Sequence, residues 1–121
     1  VTVSGHGRTS GETNFTSTDK LYLLASVEIY IDWLTYKYSS HDTAKDLTRQ
    51  LDYYKSKGVV TDNCSGAIKQ FDNSNSFWWL RTSDSNIKVN NIFLLINDDG
   101  SWGSDFANSP TGFAAAFRIG E

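Results

Sequence analysis

Few residues in this chain are of types that do chemistry, and they are scattered. The acidic stretch Asn97-Asp98-Asp99-Gly100-Ser101 clusters the hard oxygens that calcium or magnesium prefers. An EF-hand loop opening at Asn97 would need a glutamate at its twelfth place, and Asn108 stands there. A type I′ hairpin turn with positive φ at Asp99-Gly100 accounts for the same residues, and it is preferred to a weak divalent site on Asn97, Asp98 and Asp99. His6 falls in a Gly/Ser/Thr-rich stretch and His41 beside an expected helix cap. Neither lies near a Gly-x-Ser-x-Gly nucleophile motif, so both read as solvated surface histidines. Cys64 is the sole cysteine, without a partner for an intrachain disulfide or a metal-ligand spacing. Arg81 has the planar fork that grips carboxylate or phosphate, and an ion pair within the fold is preferred to an anionic ligand. No glycine-rich phosphate loop follows a strand, and no two carboxylates can be assigned acid and base roles. The expectation is a protein without catalytic machinery, metal or cofactor.

The elements that must position these residues follow from composition and pattern. At 121 residues the chain fits one domain with a hydrophobic core. Aromatic residues make up 14% of it, more than a disordered chain carries, so some rings are expected at the surface for recognition. Net charge is −3 and no run of Lys or Arg occurs, which disfavours nucleic acid and anionic membranes as partners. No apolar run is long enough to span a bilayer, so no membrane insertion is expected. Methionine is absent even at position 1, and a processed chain or fragment is the expectation.

Residues 1–18 read as an extended lead-in or linker. A short strand near Leu21 and Leu23 precedes a helix over 26–36, with Ser26 as its cap, Glu28 in its first turn, and Val27, Tyr30 and Leu34 on one face. A longer helix is predicted over 42–57, capped by Asp42 and stopped by Gly58, with Ala44, Leu47, Leu51 and Tyr54 as its apolar stripe. The segment Ser65–Phe71 reads as a short helix or turn, broken by Asp72-Asn73-Ser74-Asn75-Ser76. Strands follow near 77–81, 92–97 and 113–119, the last with Phe113, Ala115, Phe117 and Ile119 on its core face. Polar loops fill 82–91 and 97–111. Helices first and antiparallel strands after make an α+β domain.

Adjacent Trp78 and Trp79 must face opposite sides of their strand, one toward the core and the other toward the loops.

Taken in order, Asp19–Tyr30, Trp78-Trp79-Leu80-Arg81, Asp99-Gly100-Ser101 and Gly112–Ile119 resemble the DUF6273 family of bacterial and phage surface proteins, over residues 19–119. Matched positions include Leu23, Leu24, Glu28, Arg81, Phe117 and Arg118. Ala25 stands where the family pattern has Ser, and Ala114-Ala115-Ala116 replaces its proline-containing approach to the closing Phe-Arg-Ile. The resemblance implies a C-type lectin-like fold over 19–121, related to formylglycine-generating enzymes and retroelement variable proteins, and the C-terminal part of a larger chain. It implies a non-catalytic adhesin or receptor-binding domain on a phage virion or bacterial surface, working in host attachment. Its partners would be a cell-surface glycan or protein and other subunits of the assembly. The alternative is a structural or decoration domain of the virion. Glu28 and Arg81 are expected to pair and, with Trp78 and Trp79, to hold the structure. Ligand contacts are expected from Asp84, Asn86 and Asn90 in the first polar loop and Ser101, Trp102, Ser104, Asp105 and Asn108 in the second. Trp102 either projects for stacking or folds back as a lid on the core.

Overall fold

The computed structural model describes residues 2–3, 15–16, 18, 20–42, 49–85 and 91–117. These residues form a mixed α+β structure of short helices and antiparallel strands in small sheets. Within the expected lead-in, β1 (Thr2–Val3) pairs antiparallel with β2 (Phe15–Thr16). β3 (Tyr22–Leu23) then feeds α1 (Ser26–Ile29).

The cap of α1 is Ala25, one residue before the expected Ser26. Glu28 reaches back to accept the Ala25 N–H at 2.8 Å, the reciprocal half of a capping box. The Ser26 hydroxyl donates instead to Asp42 Oδ2 at 2.8 Å. Asp42 is therefore a buried acceptor after a 3-10 turn (Ser39–His41), and the start of the helix it was expected to cap lies outside the described residues. The helix expected over 26–36 ends at Tyr30, whose backbone is extended, and resumes only as a 3-10 turn at Trp33–Thr35. Val27 and Tyr30 are buried as that face predicts, but on this broken path Trp33 is fully buried and Leu34 is exposed.

The helix expected over 42–57 is corrected in its second half. Residues 43–48, with Ala44 and Leu47, lie outside the described residues; beyond them 49–51 are not helical and Asp52–Ser56 form α2. The reason lies in the carbonyls that α1 leaves open at its C-terminus. The Leu51 N–H donates to Glu28 O at 2.9 Å, and Gln50 Nε2 donates to Ile29 O at 2.8 Å and Val59 O at 2.9 Å. A continuous helix would have used the Leu51 amide internally. Gly58, at φ +64°, ends α2 as predicted.

A 3-10 turn (Ser65–Ala67) leads into β4 (Lys69–Phe71), which pairs with β5 (Ser74–Ser76). Asp72 and Asn73 both have positive φ, so the stretch expected to break a helix is a hairpin turn of type I′ form. The central sheet follows: β6 (Trp78–Ser83), β7 (Ile92–Ile96) and β8 (Trp102–Phe106), in that order and antiparallel. β8 occupies residues expected to be loop. Between β7 and β8 only Gly100 has positive φ (+87°), so the turn is not type I′. The Gly100 N–H donates to Asn97 O and the Asn97 N–H to Ser101 O, a type I turn closed by a left-handed glycine. β9 (Ala115–Ala116) pairs with β3. Its faces are inverted from expectation: Ala114 and Ala116 pack on the core, while Phe113 and Phe117 are exposed. Ile119 and Arg118 lie outside the described residues.

One face of the sheet carries Trp78, Leu80, Leu94 and Ile96 into a core completed by Val27, Ile29, Tyr30 and Trp33. The pairing shifts between Trp79 and Ser83, a bulge in β6 that bends the strand toward β3. There the Arg81 N–H donates to Leu24 O at 3.0 Å. Its guanidinium donates to Leu23 O at 2.7 Å and to Glu28 Oε2 at 2.6 Å, both side chains being buried.

Two outcomes follow. Arg81→Ala leaves the Glu28 carboxylate buried without its countercharge and should cost about 3–5 kcal/mol; urea unfolding that moves by less than about 1 kcal/mol would deny the pair this role. Gly100→Ala forces a side chain into positive φ and sets its Cβ 2.1 Å from Cys64 O. It should lower stability by more than the roughly 1 kcal/mol that positive φ alone costs, read as a fall in the thermal midpoint.

Candidate functional site

Residues on the sheet face opposite the core, and the chain crossing it, make an open groove. Antiparallel pairing sets Trp79 beside Leu95, so both point away from the core that holds Trp78. Trp79 is half-buried there. Two adjoining hollows share Phe77, Pro110 and Thr111. The larger, of about 670 Å³, is walled by Phe71 from the β4–β5 hairpin, Phe77, and Phe113 beyond Gly112. The smaller, of about 310 Å³, is lined by Leu95, Asn97, Ser104, Asp105 and Ser109. One end is thus aromatic and the other amide, hydroxyl and carboxylate.

The floor between the walls is backbone. Gly112 N–H donates to Phe77 O at 3.0 Å, and Trp79 N–H donates to Gly112 O at 3.0 Å. A Cβ at Gly112 would stand 2.6 Å from Phe77 O, so glycine permits this close approach. The walls are exposed: Phe71 is 77% accessible and Phe113 69%. Exposed rings around a concavity mark a recognition surface more specifically than single exposed apolar residues do. Asp105 Oδ1 accepts the Phe106 N–H at 2.7 Å, which fixes its carboxylate against the strand.

Of the ligand contacts expected from sequence, Ser104 and Asp105 line this groove. Trp102 does not. It opens β8 opposite Ile96 on the core side, and its ring lies 5.6 Å from Trp33, 5.7 Å from Tyr38 and 5.2 Å from His41 by centroids. Its Nε1 donates to Tyr36 Oη at 3.4 Å. Of the two roles considered, it is the lid. Ser101 completes the turn, donating from N–H and Oγ to Asp99 Oδ1 at 2.9 and 2.5 Å. Those bonds hold the Asp99 carboxyl below its ordinary pKa. Asn97 Nδ2 donates to Ser101 Oγ and Trp102 O. Asp98 is exposed on the same turn. Among the described residues no three His, Cys, Asp or Glu side chains group as metal ligands. Asn108 is exposed past the end of β8. Asn86 and Asn90 lie outside the described residues.

Asp84, expected on a binding loop, is instead buried. Its Oδ1 stands 3.0 Å from His41 Nδ1, without the alignment of a hydrogen bond. His41 is likewise no solvated histidine: its ring sits edge-on between Tyr38 and Trp102. Ser85 N–H and Oγ both donate to His41 O at 2.8 Å. The start of the first polar loop is thereby folded into the core.

Sequence reasoning missed Phe71, Phe77, Phe113 and Pro110. Phe113 had been given to the core by period-two alternation. Phe71 carried a usable signal: with Asp72-Asn73 read as a hairpin turn, it stands at a strand end where nothing requires burial.

The chain matches no family model, no curated protein and no solved structure.

Trp102→Ala should destabilise the fold by about 2–4 kcal/mol, because its half-buried ring touches four others, Trp33, Tyr36, Tyr38 and His41. Phe71→Ser should change stability by less than about 0.5 kcal/mol. Paired denaturation curves check both, and equal losses would contradict the separation of core from groove.

Proposed function

We propose that this chain is a non-catalytic ligand-binding domain of an adhesin or receptor-binding protein, displayed on a phage virion or bacterial surface. In this reading it is a DUF6273-type member of the C-type lectin-like class and takes a cell-surface glycan or protein in host attachment, without metal or cofactor. The observation that carries it is the groove: three exposed phenylalanines facing a polar end, over a floor of paired backbone. Loops held by a rigid sheet are where recognition concentrates. The non-catalytic part is supported by the place of the His41–Asp84 contact, enclosed among aromatic rings and apart from the groove lining.

A second reading has its own support. Phe117 is 62% exposed beyond Phe113, so the apolar surface extends outside the groove. A neighbouring subunit covering these rings would make the chain a structural or decoration domain.

The test is attachment of the purified chain to intact bacteria, compared with a Phe71→Ser, Phe113→Ser variant. Binding in the parent and at least a tenfold loss in the variant, with unchanged thermal midpoint, is the expected result. Self-association or assembly lost in the variant, with no cell binding by either, would favour the decoration reading.

A further inference from the structure

We infer that the groove takes an uncharged saccharide rather than an acidic one. The inference rests on the binding reading above and narrows it to a chemical class.

Charge decides this. Among the described residues, Asp105 is the only charged side chain lining either hollow. Sialic acids, uronic acids and phosphorylated sugars would bring an anion beside that carboxylate, with no Lys or Arg among the described lining residues to receive it. Binding sites for such groups are built on paired cations, arginine above all. Here the like-charge contact works against them.

The groove joins apolar and polar groups. Gly112 N and O and Phe77 O are bonded to one another and to Trp79 N across the floor. Phe71, Phe77 and Phe113 give flat apolar faces, and Asn97 Oδ1, Ser109 and the second Asp105 oxygen give acceptors and a hydroxyl. The Asn97 amide nitrogen is already engaged with Ser101 and Trp102, so that residue offers chiefly its oxygen.

A sugar ring matches this division. Its axial C–H face is apolar and stacks on an aromatic ring; its equatorial hydroxyls donate to carboxylate and amide oxygens and accept from hydroxyls. The two hollows lie within the usual range of roughly 300–1,000 Å³ for ligand sites, and their shared wall at Phe77, Pro110 and Thr111 suits two consecutive residues of a neutral chain, one stacked and one hydrogen-bonded.

The experiment incubates the 121-residue chain with an array of neutral hexose and N-acetylhexosamine oligosaccharides, sialylated and uronic-acid glycans, and in parallel with intact and protease-stripped bacteria. Retention on neutral glycans is expected, with no retention on acidic ones. Phe113→Ala should weaken it roughly threefold to tenfold, the loss of one stacking face, and Asp105→Asn should narrow the gap between neutral and acidic glycans. Phe71→Ala, at an exposed hairpin end, repeats the stacking test should the Phe113 variant misfold. Retention on acidic glycans in preference to neutral ones overturns the inference while the binding reading stands. Binding to intact cells that protease abolishes, with an empty array, does the same and points to a protein ligand. An empty array with no cell binding overturns both.

Discussion

The fold depends on one buried ion pair. Glu28 and Arg81 come from segments 53 residues apart and meet at 2.6 Å with almost no exposure. Two charges removed from water are tolerated only when their remaining donors and acceptors are also satisfied. Here they are shared out among the surrounding segments. The Glu28 carboxylate also accepts the Ala25 amide and so caps α1, and the guanidinium also donates to Leu23 O, at the end of β3. It lies over the Tyr22 ring at 5.6 Å as well. The pair therefore joins β3, α1 and β6, and the bulge in β6 is what aims Arg81 at that junction. A regular strand would have kept the ladder to β7 and turned this side chain elsewhere.

Among the described residues the buried rings are those of Tyr30, Trp33, Tyr54 and Trp78, types that carry a donor. Trp78 Nε1 donates to Ala67 O at 3.2 Å, and the Tyr30 hydroxyl donates to Gly100 O at 2.7 Å. Burial drives the Tyr30 phenol far above its ordinary pKa, so it remains a donor throughout the physiological range. That bond, with the Gly100 backbone pressed on Cys64 O, docks the acidic turn onto the core. Asp99 Oδ1 and Gly100 O are thus committed to structure. Phenylalanine, which has no polar handle to satisfy, is exposed at Phe71, Phe77, Phe106, Phe113 and Phe117, as are the rings of Tyr38 and Tyr53.

What could be read from sequence is what local pattern alone decides. The buried run Ile92–Ile96, the stop at Gly58 and the opposite faces of Trp78 and Trp79 follow from period and from glycine, and the structure has them. The mixed α+β class follows from the order of those patterns. The failures lie where distant partners override a local signal. Residues 49–51 fall within a helical spacing but are not helical, and the open carbonyls of α1 take up the Leu51 amide and the Gln50 side chain. Ser26 and Asp42 each suit a cap, and the structure bonds them to each other. Asp84 and Ser85 look like loop residues, yet His41 and its carbonyl draw them inward. For the groove, Ser104 and Asp105 were legible as polar residues on a late segment. The phenylalanines were not, because alternation cannot say which of two faces is covered when the covering residues, Ala114 and Ala116, are small.

The groove and the ion pair are linked through β6. The start of that strand builds the floor: Phe77 O and Trp79 N bracket Gly112. Two residues further on, Arg81 fixes the same strand to α1. A slip of β6 by one residue would turn Trp78 outward and Trp79 inward. It would also move both groups that hold Gly112. The ion pair has a defined bonding geometry, satisfied in one register only, so it specifies which tryptophan faces the core and, with that, where Phe77 and Phe113 stand. The shape of the groove is then a property of the Glu28–Arg81 contact as well as of its own lining.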